Sequence, residues 1–324
     1  MAALRAVLLI AGAAALAPPK SMAALRAVTL LATAAALAPP VSERVVTLKD
    51  GQRMQWLSCE PAKRNPFAPP PPTCVFVHGT FHGAWCWAEK WLPRFAGTHG
   101  IAAHALSLRG TSASPYDKAV KLSQHAADLG EAIAALGLER PPHLVAHSFG
   151  GPVILDAVND GLDAAGLALL CSVPPSGNGP GVRRVLFRSL GEAWLITRAF
   201  ALKTAGTNPD DANAIFFNGE LDGDAAARYA ARFKADGATG LDLRDYTESL
   251  PRWPVDAAGA WTKAAPKALV VGCGADRVVD DVAVRETGAF LRADPKTLPG
   301  APHDLMLADV ADDAADLVAA WVAG

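Results

Sequence analysis

Short apolar runs alternate along the chain with helical stretches that carry one apolar stripe. The runs have the length and composition of strands buried on both faces. Between two of them, Leu122, Ala126, Leu129, Ile133 and Leu136 recur at spacings of four and three, which predicts a helix covering the sheet. This alternation predicts an α/β fold in which helices flank a mostly parallel sheet. The predicted buried strands are Cys74–Val77, Ile101–Leu108, His143–Ala146, Ala165–Ser172 and Lys267–Gly274.

Both ends of this region carry further elements. Residues 44–51 and 53–60 read as two strands around the turn signal Asp50-Gly51, and we expect an antiparallel hairpin to lead the sheet. The proline-rich stretch Asn65–Pro72 predicts a stiff surface connection, because proline donates no backbone hydrogen bond. A short strand at Asp294–Leu298 is followed by a closing helix, whose predicted buried face carries Leu307, Val310, Ala314, Leu317 and Trp321.

A long insertion separates two of the predicted strands. The breaker cluster Pro174–Gly181 opens it, and no convincing strand follows before Pro254. We expect a helical cap at about 175–256 within one domain of residues 43–324, above the sheet edge where ligands bind in open α/β folds. Trp194, Phe200, Phe216 and Phe217 either line an apolar pocket or pack inside the cap. The predicted helical segments are Arg184–Lys203, Asp211–Phe217 and Asp224–Lys234.

The stretch His143–Gly151, HLVAHSFGG, places a serine between a predicted strand and a predicted helix. In a nucleophile elbow, small residues flank the serine because strand and helix pass very close together. Gly150 and Gly151 meet that need, while Ala146 stands where glycine is usual. The pattern predicts that Ser148 is an exposed nucleophile.

Serine needs a base to become reactive, and the base needs a carboxylate to orient it. Asp276 and His303 each follow a later strand, which gives the order serine, acid, histidine. The glycines after the strand Cys74–Val77 predict a loop whose amides face the site, so we expect the Thr80 and Phe149 N–H groups to form an oxyanion hole. The catalytic prediction is therefore Ser148, Asp276 and His303.

Other residues compete for these roles. Asp280, Asp281 or Asp304 could replace Asp276, although Asp304 is expected to be solvated or to cap the final helix. His147 is expected to be a buried support. His82 is either a further catalyst or a histidine that holds its loop by hydrogen bonds.

The residues His82–Trp87, HGAWCW, resemble the plant methylesterase and hydroxynitrile lyase branch of the α/β-hydrolase superfamily. The turn Arg109–Pro115 is similar to a loop of these hydrolases, with Ser107 where Asp is usual. The resemblance implies a serine hydrolase that cleaves a small to medium apolar carboxylic ester through an acyl-enzyme. The lyases of this branch carry Thr and Lys where this chain has Gly79 and Asp304, which favours the esterase reading. A lyase and a slow-turnover ligand receptor on the same scaffold remain alternatives.

Composition excludes several other classes of function. The net charge is −2 and no basic run is visible, so neither nucleic acid nor an anionic membrane is expected as a partner on electrostatic grounds. Five cysteines form no Cys-x-x-Cys pair and are expected to behave as small buried apolar residues. There is no metal-ligand spacing and no glycine-rich phosphate loop. We expect no metal, no cofactor and a small-molecule ester substrate, with the oligomeric state open.

The amino end is a duplication. Residues 1–21 recur as 22–42 with four positions changed, and each copy has the layout of a secretory signal peptide. Each apolar run is shorter than the ~18–20 residues that span a bilayer, so no stable membrane span is expected. The Ala-Leu-Ala-Pro ends resemble the leaders of algae with complex plastids. A removed targeting segment 1–42 predicts the secretory route or a plastid, whereas a cytoplasmic protein is expected if the leader is a gene-model artefact. Met22 is an alternative start of the chain.

Overall fold

The computed structural model describes residues 39–61, 70–237, 243–248, 250, 252–263 and 267–324. Residues 1–38, and with them nearly all of the predicted targeting segment 1–42, lie outside the described residues. So does most of the proline-rich connection Asn65–Pro72.

Eight strands and eleven helices form the described part of the chain. The strands are β1 Ser42–Thr47, β2 Arg53–Cys59, β3 Thr73–Val77, β4 Ala102–Leu106, β5 His143–His147, β6 Gly166–Leu170, β7 Lys267–Cys273 and β8 Lys296–Leu298. The first helices are α1 Trp85–Ala88, α2 Trp91–Thr98, α3 Leu122–Ala134 and α4 Gly150–Asn159. Between β6 and β7 lie α5 Gly179–Arg188, α6 Leu190–Phe200, α7 Pro209–Phe216, α8 Gly223–Asp236 and α9 Leu243–Glu248. The last helices are α10 Asp281–Leu291 and α11 Ala311–Ala323.

All eight strands join one sheet in the order β1-β2-β4-β3-β5-β6-β7-β8. β1 pairs antiparallel with β2, and β2 pairs antiparallel with β4, which confirms the leading hairpin. From β4 to β8 every pairing is parallel. The carboxyl ends of β3, β5, β6 and β7 therefore meet at one edge of the sheet, where open α/β folds place their ligands.

The central strands are buried on both faces, which explains their unbroken apolar sequence. In β3, Phe76 joins a core with the Trp91 and Phe95 side chains of α2 and residues of α11. Its neighbours Val75 and Val77 point to the opposite core, which α3, α4 and α10 cover. Alternation along the strand thus gives the sheet two apolar faces, each sealed by helices. Of the stripe predicted for α3, Leu122, Ala126, Leu129 and Ile133 are buried, while Leu136 lies beyond the end of the helix and is half-buried.

The insertion after β6 is helical, as the sequence predicts, but the predicted helix Arg184–Lys203 is two helices. Ser189 has extended backbone (φ −158°, ψ 114°) and its Oγ accepts from the Glu192 amide at 3.2 Å. A serine followed three residues later by glutamate is a capping-box pattern. The hydroxyl supplies an acceptor for the free amide of a new first turn, so α5 ends at Arg188 and α6 starts at Leu190.

The closing helix also differs from the prediction. The closing helix starts only at Ala311, and its buried face is rotated: Ala314, Ala315, Val318, Ala319 and Val322 are buried, while Leu317 and Trp321 are half-buried at its margin. Small alanines let α11 lie close to the sheet, and of these only Ala314 belongs to the predicted face.

Within the described residues, none of the helices is both long and apolar enough to cross a bilayer.

The Ser189 cap can be tested by Ser189→Ala. We expect the free energy of unfolding to fall by about 1 kcal/mol, because the Glu192 amide loses its acceptor. Urea unfolding monitored by circular dichroism measures it. Thr197→Ala is the matched control on the same helix, since the Thr197 hydroxyl only donates to the Ala193 carbonyl one turn earlier. Equal losses in the two variants would contradict a capping role.

Candidate active site

Ser148 occupies a strained turn between β5 and α4. Its φ is +52°, the left-handed region that side-chain-bearing residues rarely adopt. Three backbone hydrogen bonds hold it: the Ser148 amide donates to the Leu170 carbonyl at 3.0 Å, and its carbonyl accepts from Gly151 and Val173, each at 3.1 Å. Such strain costs roughly 1–3 kcal/mol and persists only where the surroundings enforce it. The turn is therefore imposed by its neighbours.

Three glycines allow those neighbours to come close. A Cβ on Gly150 would lie 2.6 Å from the Val77 carbonyl oxygen, and one on Gly151 would lie 1.9 Å from Ser172 Oγ. A Cβ on Gly79 would lie 2.8 Å from that of Ser148. All three distances are far below van der Waals contact, so the turn, the start of α4 and the loop after β3 can meet only without side chains. At the first position of the motif, Ala146 is fully buried within β5, so a methyl group fits there.

His303 and Asp276 form a buried pair after the ends of β8 and β7. His303 Nδ1 lies 2.7 Å from Asp276 Oδ2, and both side chains are about 1% exposed. The other carboxylate oxygen accepts from the Val278 and Val279 amides at 2.7 and 2.9 Å. With its acceptor oxygens occupied in this way, Asp276 fixes the tautomer of His303 with hydrogen on Nδ1, leaving Nε2 able to accept a proton.

His147, the residue before Ser148, contacts this pair through His303. Its Nε2 donates to the His303 carbonyl oxygen at 2.9 Å, and the two ring centroids are 4.6 Å apart. Burial lowers the pKa of His147 well below its ordinary value, so this ring is a neutral support, in keeping with the prediction. Among the described residues, no hydrogen bond joins Ser148 Oγ to His303. In ligand-free enzymes the bond between nucleophile and base is commonly long and tightens when substrate binds.

The loop after β3 is fixed by His78. His78 Nδ1 donates to the Gly79 carbonyl at 2.7 Å, and its Nε2 accepts from the Leu108 amide at 2.9 Å. Burial lowers the pKa of His78 to about 4, so the ring is neutral at pH 7 and can play both roles. The hydrogen bonds of the described residues leave the Thr80 and Phe149 N–H groups without a protein acceptor. Both residues line the same cavity as Ser148.

Asp304 differs from the prediction of a solvated or helix-capping residue. It is fully buried, and its Oδ2 lies 2.8 Å from His82 Nε2. His82 Nδ1 donates to the Thr80 carbonyl at 2.7 Å. Burial alone would lower the pKa of His82, but the charge and hydrogen bond of Asp304 raise it above its ordinary value. His82 thus ties the loop after β3 to the residue next to His303, which is the loop-holding role considered for it.

The cavity beside Ser148 has a volume of about 720 Å³ and a mostly apolar wall. The sheet side contributes Ser148 and the loop after β3, and the helical insertion contributes the opposite wall. Of the four aromatic residues considered for a pocket, Phe200 lines it, Phe216 and Phe217 pack inside the core, and Trp194 is 56% exposed. Apolar lining residues include Phe81, Leu108, Phe149, Val173, Val185, Ile196, Val279 and Ala283.

Asp236, at the end of α8, fastens the insertion to the sheet side of the cavity. Its buried carboxylate accepts from Trp85 Nε1 at 2.6 Å and from the Ser112 amide at 2.5 Å. Ser112 has a positive φ of 46° in the loop after β4. Sequence reasoning missed this residue, because the bond to Ser112 joins positions 124 apart and no motif marks Asp236.

All five cysteines are buried free thiols. Burial raises the pKa of the Cys171 thiol, which lies close to Asp276 and His303. Within the described residues, two groups bring three metal-ligating atoms within 4.8 Å: His147, His303 and Asp304, and Cys171, Asp276 and His303. Both groups contain His303, so a metal in the second would compete with the hydrogen bond between His303 Nδ1 and Asp276.

Comparison with known proteins agrees with this architecture. Residues 74–321 match the model of the alpha/beta hydrolase family. The chain belongs to that family. It resembles the plant esterases within it, as the HGAWCW stretch predicts. The chain is 32% identical over 110 residues to the probable esterase PIR7A of Oryza sativa subsp. indica, which covers 33% of this chain and 42% of that protein. It is 36% identical over 78 residues to methylesterase 7 of Arabidopsis thaliana, covering 24% and 30% of the two chains.

These matches span less than half the length of the curated relatives. Among solved structures of this α/β-hydrolase fold, a putative aryl esterase from Burkholderia cenocepacia superimposes with a TM-score of 0.61 at 19% identity. That match covers 87% of this chain and the whole of the other. At this identity the likeness shows the fold alone.

The close packing at the turn predicts that Gly150→Ala is destabilising. The added methyl group would press on the Val77 carbonyl, and we expect a loss of about 1–3 kcal/mol in the free energy of unfolding, measured by urea titration. Gly130→Ala in α3 is the matched control, because a Cβ there meets nothing within 4 Å. That variant is expected to gain about 0.5–1 kcal/mol from helix propensity. A Gly150→Ala protein as stable as Gly130→Ala would refute the packing argument.

Buried neutral histidines make stability depend on pH. Burial lowers the pKa of His78 and His104 to about 4 and that of His125 to about 3. Since these values lie below the ordinary ~6.5, the unfolded chain binds more protons, and stability falls as the pH drops from about 7 to 5. The raised pKa of His82 has the opposite effect on stability. The stabilisation that His82 contributes is fully present below its unfolded pKa and is lost as the pH rises through its folded pKa.

We expect the low-pKa histidines to dominate. The free energy of unfolding from urea titrations should fall between about pH 7 and pH 5, above the ordinary range of carboxylates. His104→Gln, far from Ser148 on the hairpin side of the sheet, should flatten part of this dependence. Stability that is constant or rises on acidification would contradict the prediction.

Proposed function

We propose that the protein is a carboxylic ester hydrolase in which Ser148, His303 and Asp276 act as a catalytic triad. The observation that carries the proposal is the buried His303 to Asp276 pair, held at the same sheet edge as a serine on a strained turn. An imidazole fixed with hydrogen on Nδ1 can accept the proton of a nearby hydroxyl through Nε2. Ser148 lines the cavity, as do Val278 and Val279, whose amides hold Asp276.

In the first half-reaction, Ser148 Oγ attacks the ester carbonyl while His303 Nε2 takes its proton. The carbonyl oxygen becomes an oxyanion, and the Thr80 and Phe149 N–H groups donate to it as the oxyanion hole. The bond to the alcohol then breaks, and His303 returns the proton to the leaving oxygen. Asp276 stays ionised throughout, held by the Val278 and Val279 amides, and stabilises the imidazolium.

In the second half-reaction, water attacks the acyl-enzyme. His303 takes the proton from the water, and the oxyanion forms again between the same two amides. When the bond between the acyl carbon and Ser148 Oγ breaks, His303 returns the proton to Ser148 Oγ and the carboxylic acid is released. A cavity of about 720 Å³ with mostly apolar walls suits a small to medium apolar ester. The names of the plant relatives, a probable esterase and a methylesterase, support the same reaction class.

The lyase alternative fits these residues less well. Lyases of the related branch carry a lysine at the position of Asp304, whereas here a buried carboxylate is held by His82. A carboxyl group at this position cannot take the part that the lysine plays toward cyanide in those lyases.

Ser148→Ala tests the proposal. Hydrolysis of short p-nitrophenyl esters by the purified full chain should fall about 10⁴-fold or more, because no other group supplies the nucleophile. Asp276→Asn should lower kcat by about 10³- to 10⁴-fold, since His303 loses the partner that fixes its tautomer. Asp281→Asn, an exposed carboxylate five residues further on, is the control and should leave kcat unchanged.

Turnover retained in Ser148→Ala would reject the nucleophile. Mandelonitrile cleavage without ester turnover would establish the lyase instead, and tight ester binding without any turnover would establish a receptor. A panel of acyl and alcohol lengths then defines the substrate.

A further inference from the structure

The insertion carries an unusual concentration of exposed apolar side chains. Phe187 is 88% exposed, Leu190 73% and Trp194 56%. Six of the nine large apolar residues exposed in the described part of the chain fall between positions 182 and 202, on or directly after α5 and α6. Isolated exposed apolar residues are ordinary, but a cluster of this kind marks an interaction surface. We call it the α5–α6 surface: Val182, Leu186, Phe187, Leu190, Trp194 and Leu202.

The same stretch is basic in an acidic protein. Residues 179–203 contain five basic side chains and one acidic one, a net charge of +4, while the whole chain carries −2. Asp280 and Asp211, from outside the stretch, pair with Arg184 and Arg198 and offset part of this charge. Arg183, on α5, is exposed. The overall charge, which argues against an anionic membrane as a partner, therefore conceals a local patch of opposite sign.

The α5–α6 surface also adjoins the cavity. Val182 belongs to both, and Val185 and Ile196 of the same two helices line the cavity wall. An apolar layer laid against α5 and α6 would therefore lie next to the cavity that holds Ser148.

From these observations we propose that the α5–α6 surface docks the protein on an anionic lipid surface. Helices that lie in a membrane interface combine Trp, Phe and Leu on one side with Arg or Lys that contact anionic headgroups, which is the composition found here. Leu190 and Trp194 are one turn apart on α6 and project from the same face. A second copy of this chain fits less well, because pairing the surface with itself would bring like charges together.

Co-sedimentation of the full chain with vesicles tests the docking. Binding to vesicles that contain phosphatidylglycerol should exceed binding to pure phosphatidylcholine vesicles about tenfold, because each basic residue near an anionic surface adds attraction. Phe187→Ser combined with Leu190→Ser should weaken binding about a hundredfold, since two apolar side chains no longer enter the interface. Arg183→Glu should lower binding to the anionic vesicles about tenfold and leave the weak binding to neutral vesicles nearly unchanged.

The matched control is Val45→Ser combined with Val282→Ser, two side chains that are each 42% exposed elsewhere on the protein. It should bind vesicles as the wild type does. Circular dichroism and hydrolysis of a soluble p-nitrophenyl ester by every variant establish that the fold is retained. Because docking is read from sedimentation, its failure is distinguishable from a failure of the esterase proposal.

Three outcomes would overturn the docking proposal. The wild type could fail to sediment with anionic vesicles. The Phe187→Ser/Leu190→Ser protein could bind as tightly as the wild type, which would assign binding to another segment, such as the apolar residues 1–42. The wild type could be a dimer in light scattering that the same double substitution makes monomeric, which would assign the surface to self-association.

Discussion

The left-handed backbone at Ser148 is the constraint on which the site depends. A serine at φ +52° is unfavourable by itself, and three backbone hydrogen bonds, to β6 and to the segments that follow β5 and β6, hold it there. Two of those bonds, with Leu170 and Val173, depend on β5 and β6 being adjacent parallel strands that end at the same edge. Gly79 and Gly150 let the neighbouring backbone close on the turn without a steric clash. The position of one hydroxyl therefore reflects the pairing of the whole central sheet.

Two buried histidine and aspartate pairs lie side by side at this edge, with different chemistry. In the first, Asp276 accepts from two backbone amides as well as from His303, which leaves one histidine nitrogen free for proton transfer. In the second, both nitrogens of His82 face oxygen atoms, and the ring is committed to binding Thr80 and Asp304. The hydrogen-bond partners, and not the residue types, decide that one pair suits catalysis and the other positions the loop.

Much of this arrangement is predictable from sequence, because residues that directly follow neighbouring parallel strands lie close together at the same edge of the sheet. The sequence places Ser148, Asp276 and His303 each after a strand, and the structure joins the last two directly. The burial of Asp304 differs from the sequence-based expectation, because its partner His82 is 222 residues away. No local sequence pattern indicates a contact over that range. The helix break at Ser189 does have a local sequence signal, because a glutamate follows three residues later. Apolar periodicity alone does not detect this capping pattern.

The cavity wall is divided between two parts of the chain that are separate in sequence. The groups proposed to transfer protons or to stabilise the oxyanion all lie at the sheet edge. The helices between β6 and β7 line much of the rest of the cavity. Asp236 fastens the latter to the former through Trp85 and Ser112, at a point away from the proposed reacting atoms. Substitutions in these helices can consequently reshape the cavity while the residues proposed for catalysis stay unchanged. Evolution toward new ligands would therefore change mainly the residues between β6 and β7.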